Sequence, residues 1–179
     1  MKKILSLLLV VLILTGCNKA NAISAVDSYL MKYRNLNSEV LVDLENIIEK
    51  ENLTKSQQDK YRNILKKQYK DLTYKIIEEE YDEEVSYVTV EIKVYDLYKP
   101  QSDASIYLEN NKDEFNDFEK IYDPEKFIDY KLDKMMSTTE KIDYTIVFTV
   151  TKEDDEYVVE QPTETDLMKI HGVYNYNLD

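Results

Sequence analysis

The chain has 179 residues, with 36 acidic side chains against 23 basic ones and a formal charge of −13. Such a surface repels phosphate backbones and so argues against nucleic acid as a partner. One cysteine, one histidine and two glycines exclude a disulfide framework, a typical multi-histidine zinc site and a glycine-rich phosphate loop.

The first seventeen residues have the three-part layout of a secretory signal. Lys2 and Lys3 form a basic start, and Ile4 to Leu14 is apolar except for Ser6. Small residues then lead to Cys17. The apolar run is well short of the ~20 residues needed to span a bilayer. Leu14-Thr15-Gly16-Cys17 resembles the lipobox of bacterial lipoproteins. That resemblance implies cleavage before Cys17 and diacylglyceryl transfer to its thiol, which removes the only cysteine from disulfide, metal or catalytic use. Two acyl chains hold a protein to a membrane stably, where one does so marginally. The resemblance therefore implies lipid anchoring on the extracytoplasmic face of the cell membrane. Residues 1–16 are the leader, 17–22 an acylated tether and 23–179 a single domain. Removing the leader, with its two lysines and no acid, takes the formal charge from −13 to −15.

From Ser24 onward, Ala25, Val26, Tyr29, Leu30 and Tyr33 share one helical face, with Ser24 and Asp27 as an N-cap pair. Ser38 is the expected cap of a second helix carrying Val40, Leu41, Leu44, Ile47 and Ile48. Thr54 and Gln57 form a capping box for a third, lined by Tyr61, Ile64, Leu65, Tyr69 and Leu72. On its far side Arg62, Lys66 and Lys70 make a basic row, read as a solvated face before an anion or partner contact.

The period then changes to two. Leu72, Tyr74 and Ile76 alternate with Thr73 and Lys75, and the run ends in acids. After a polar turn, Val88, Val90, Ile92 and Val94 alternate with Tyr87, Thr89, Glu91, Lys93 and Tyr95, the strongest strand signal in the chain. Lys99-Pro100 ends the strand. Residues 102–118 read as an irregular helix anchored by Ile106, Tyr107, Phe115 and Phe118. Asp123-Pro124 caps and opens another helix, whose Met135 and Met136 are core residues. Ile142, Tyr144, Ile146, Phe148 and Val150 then face opposite Asp143, Thr145, Val147, Thr149 and Thr151. Residues 157–160 pair back as a shorter strand, Thr163 and Asp166 cap a last helix, and Gly172 stands at its C-terminal cap position.

This order predicts an α+β fold: an antiparallel sheet of about four strands, with N-terminal helices on one face and a helical insertion between two hairpins. The layout looks like the cystatin-like or nuclear-transport-factor-two-like lipoproteins of Gram-positive bacteria. If that resemblance holds, the open sheet face bearing Tyr87, Thr89, Glu91, Tyr95, Thr145 and Thr149 is where a ligand belongs.

No nucleophile motif, metal motif or cofactor motif is present, so neither a metal nor a cofactor is expected. His171, beside Gly172, is expected to meet terminal carbonyls or the dipole at a helix end. The acidic runs at residues 78–84 and 153–156 lack the register of a calcium loop and read as solvated turns that guard strand ends. The leading expectation is a non-enzymatic domain that binds an envelope protein or small ligand. The alternative is a carboxylate-based hydrolase of an envelope polymer.

Overall fold

The structure, a computed structural model, describes residues 21–178 apart from positions 83 and 155; Cys17 and the leader lie outside the described residues. In chain order the elements are α1 (Ala22–Arg34), α2 (Ser38–Lys50), α3 (Lys55–Lys70), β1 (Thr73–Asp82), β2 (Val85–Tyr95), α4 (Tyr98–Asn110), α5 (Pro124–Ser137), β3 (Lys141–Glu153), β4 (Glu156–Val159) and α6 (Glu164–His171). Short 3-10 turns follow α4 at Lys112–Phe115 and α6 at Tyr176–Leu178.

The four strands form one antiparallel sheet in the order β1-β2-β3-β4. Alternation does the sorting, because successive strand residues point to opposite faces. Val88, Val90, Ile92 and Val94 of β2 and Tyr144, Ile146, Phe148 and Val150 of β3 are buried on one face. Against it lies α1, which touches all four strands, while α3 and α6 pack beside it on β2. Each such aliphatic side chain contributes about 1.5–3 kcal/mol by leaving water. α2 stacks on α1 and α3, and the α4–α5 insertion packs on α3. The insertion therefore lengthens the helical layer and leaves the second sheet face open.

Several local expectations hold. Thr54 and Gln57 make the reciprocal capping box of α3, Asp123 caps α5 with Pro124 in its first turn, and Thr163 caps α6. Gly172 ends α6 in the left-handed region at φ +74°, where a methyl group would meet the Tyr95 carbonyl oxygen at 2.2 Å. With no tryptophan, tyrosines fill the core. Tyr33 meets Tyr69 edge-on at 5.2 Å, and Tyr29 tilts against Phe148 at 5.7 Å.

Other expectations are corrected. α1 starts at Ala22, capped by the Asn21 side chain rather than by Ser24; the Asn21 Oδ1 accepts from the Ser24 N–H, and Ala22 is fully buried in the core. Ser38 is the first residue of α2 and makes no capping bond; its hydroxyl donates to Asn37 Oδ1. α4 starts at Tyr98, with Pro100 in its first turn, where a missing N–H costs nothing. Ile106 and Phe118 are exposed, Phe118 at 93%, whereas Phe115 is buried against Tyr107, Phe127 and Tyr130. A register shift between Ile76 and Glu78 marks a bulge in β1 that period counting did not foresee.

Candidate functional site

The open face is built from the odd-numbered residues of β2 and β3. Tyr87 lies opposite Thr149, Thr89 opposite Val147, and Glu91 opposite Thr145. On the other side β1 places Glu80 beside Tyr87, Glu78 beside Thr89 and Lys75 beside Glu91. Five of the six expected residues thus form one contiguous patch, with Tyr87 37% and Val147 52% exposed. Lys93 and Asp143 pair across the strands at 3.2 Å. Lys75 stands opposite Glu91, so the unmatched charges are the carboxylates of Glu78 and Glu80 around the Tyr87 ring.

Tyr95, the sixth, is occupied differently. Its hydroxyl donates to Asp71 Oδ2 at 2.8 Å, and the ammonium groups of Lys67 and Lys141 sit 4.4 and 4.8 Å from its ring centre. The Asp71 carboxylate, by hydrogen bonding, raises its hydroxyl pKa. Its backbone N–H donates to the buried Gln68 side chain, which also donates to the Ile170 carbonyl. Tyr95 is thus tied to the end of α3 and stands apart from the open patch.

Of the basic row on α3, Arg62 is spent inside the fold. Arg62 makes a two-pronged bond to Glu45 at 2.6 and 2.7 Å and also binds Asp59. His171 does not reach helix-end carbonyls. Its Nδ1 lies 2.9 Å from the Tyr69 hydroxyl, and burial pushes the imidazole down to about 4. Asp96 is buried as a whole residue, and both its oxygens are used, by the Lys99 N–H and the Tyr176 hydroxyl; of Glu79 only Oε1 is buried. Among the described residues no three His, Cys, Asp or Glu side chains are grouped to hold a metal ion.

Sequence reasoning missed a groove of about 490 Å³ between α1 and β4. Asn21, Ser24, Ala25, Ser28, Tyr29 and Lys32 line its helical side, and residues 156–159 line the other. The only sequence signal was the pair Ser24 and Ser28, small polar residues four apart that the helical pattern absorbed.

Comparison with known proteins bears mainly on the leader. Residues 1–18 match the family model for the prokaryotic membrane lipoprotein lipid attachment site. The chain is a bacterial lipoprotein, and a lipid on Cys17 anchors it to a membrane. No helix of the described residues is long and apolar enough to cross one. Comparison with curated proteins returns no match. Among solved structures the chain is similar to YcdA of Bacillus subtilis, described as a lipoprotein, at 9% identity and a TM-score of 0.48. The overlap covers 88% of this chain and 57% of that one.

Proposed function

We propose that this protein is an extracytoplasmic interaction module, held to the cell membrane by diacylglyceryl on Cys17, and that its open sheet face docks a basic segment of an envelope protein. The observation that carries the reading is the one-sided fold: the helices pack on the buried face of the sheet, while Tyr87, Thr89, Glu91, Thr145 and Thr149 stay uncovered as one patch. Five clefts among the described residues are lined by other residues than these five. A flat surface suits a protein better than a small molecule, which prefers a concave site. Charge selects the kind of protein. Glu78 and Glu80 flank Tyr87 without basic partners on the patch, so a lysine or arginine side chain gains both a carboxylate and a ring face. No observation among the described residues favours the hydrolase alternative.

The test uses the full-length lipidated protein in nanodiscs, titrated with a fluorescent oligolysine and, as control, an oligoglutamate. Oligolysine is expected to bind. The Glu78→Gln, Glu80→Gln, Tyr87→Ala triple variant should weaken it by about fivefold or more. Neutralising Glu109 and Glu119, which lie on the insertion, should change it by less than about twofold. Equal losses in both variants would reduce the binding to net charge and remove the site.

A further inference from the structure

We infer that the groove between α1 and β4 is a second binding site, which takes an extended peptide as a fifth strand of the sheet. The backbone shows why. Glu160 N–H donates to the Thr149 carbonyl at 2.9 Å, so positions 149 and 160 are a hydrogen-bonded pair. Bonded and non-bonded pairs alternate in an antiparallel ladder. Lys152 with Tyr157 and Val150 with Val159 are therefore non-bonded pairs. The N–H and C=O groups of Tyr157 and Val159 consequently point outward, away from β3, and have no partner among the described residues.

The other sheet edge is guarded by charge and a bulge along its length, whereas this one is guarded only by its shortness and the acids at its start. β1 carries Lys75, the bulge at Ile77 and three consecutive glutamates at residues 78–80, the usual defences against added strands. β4 has no lysine, proline or bulge between Glu156 and Val159. Beside it, Ser24, Ala25 and Ser28 are small enough to leave space for the side chains of an incoming strand. Strand addition at an open edge takes its affinity from main-chain hydrogen bonds and its specificity from pockets for alternate side chains, and the groove beside α1 supplies such a pocket.

The lining also describes the occupant. Of the ten residues around the groove only Lys32 and Glu156 are charged, and Lys32 is neutralised by Glu39 at 2.7 Å. The groove-facing positions of the peptide are therefore uncharged, in contrast to the basic segment suited to the open face. Its source follows from the anchor. Asn21 lines the groove and stands four residues after Cys17. Four residues reach at most about 14 Å, so the groove is held close to the bilayer surface. The occupant is an extended segment of a membrane protein, lying just outside the bilayer.

A random seven-residue peptide library displayed on phage, panned on the lipidated protein in nanodiscs, tests the site. Selected peptides should slow amide exchange at Tyr157 and Val159. Two variants separate binding from folding. Val159→Pro deletes an outward N–H that the ladder does not use, and an edge strand tolerates proline there. Ser28→Trp fills the groove from the helix. Each should cost about tenfold or more in affinity, the equivalent of one lost hydrogen bond, while the melting temperature of Val159→Pro stays within a few degrees of the parent. Peptides that protect no β4 amide, bind Ser28→Trp unchanged, or map to Tyr87 and Thr89 would overturn the proposal. So would a library that yields no binder.

Discussion

His171 shows how much a single residue depends on its neighbours. Burial holds the ring neutral, with a pKa of about 4 against 6.5 for a free imidazole, beside the Tyr69 hydroxyl at 2.9 Å. Above pH 6.5 the ring is neutral folded or unfolded, and its contribution is complete. As pH falls below 6.5 the unfolded chain takes up a proton first, so stability declines until the folded ring protonates near pH 4. The loss over that window is up to about 3 kcal/mol. Denaturant melts at pH 7, 5.5 and 4 should show a steeper acid loss for the parent than for His171→Gln, which has no such proton to gain. Parallel curves would mean that the ring titrates normally in the fold.

At the scale of elements, the two faces of β2 and β3 behave as different materials. Ile146 is 1% exposed and lies opposite Val90 on the covered face. Ile146→Ala should cost about 2–4 kcal/mol through lost burial and the cavity left behind. Tyr87 lies on the open face, where no helix packs, and Tyr87→Ala should change stability by about 1 kcal/mol or less. Chemical denaturation of the two variants side by side gives the comparison, and an equal loss would mean that the open face is a second core. The same elements explain why helix starts were only partly readable. Thr54, Asp123 and Thr163 are local caps and depend on residues two or three positions away. The start of α1 goes with the burial of Ala22 in the core, which no short window reveals.

Two features govern the whole molecule: a lipid at one end and a surplus of acid elsewhere. Cys17→Ala should abolish incorporation of a labelled fatty acid and release the protein from the membrane fraction or leave it unprocessed. Undiminished labelling would place the lipid on another residue. Anchoring also sets geometry, because α1 begins at Ala22 and the folded domain is kept near the bilayer. The charge makes a different demand. Arg62 and Lys60 on α3 are spent on Glu45, Asp59, Asp129 and Asp133, which ties α3 to α2 and α5.

The sequence by itself determined the anchor, the element types and the sorting of β2 and β3 into a branched face and a polar face. Each is encoded within a few consecutive residues: a lipobox in four, strand alternation in pairs, a cap within one turn. Only the tertiary structure decided the rest. Whether the α4–α5 insertion covered the polar face depended on its docking to α3, which joins residues far apart in the chain. Tyr95 left the patch because α3 ends beside it, and Phe118 faces solvent because the chain turns at Lys112–Phe115 before reaching it. The α1–β4 groove joins residues 21–32 to 156–159 across the whole domain, so its polar edge and small side chains meet only once the sheet has formed.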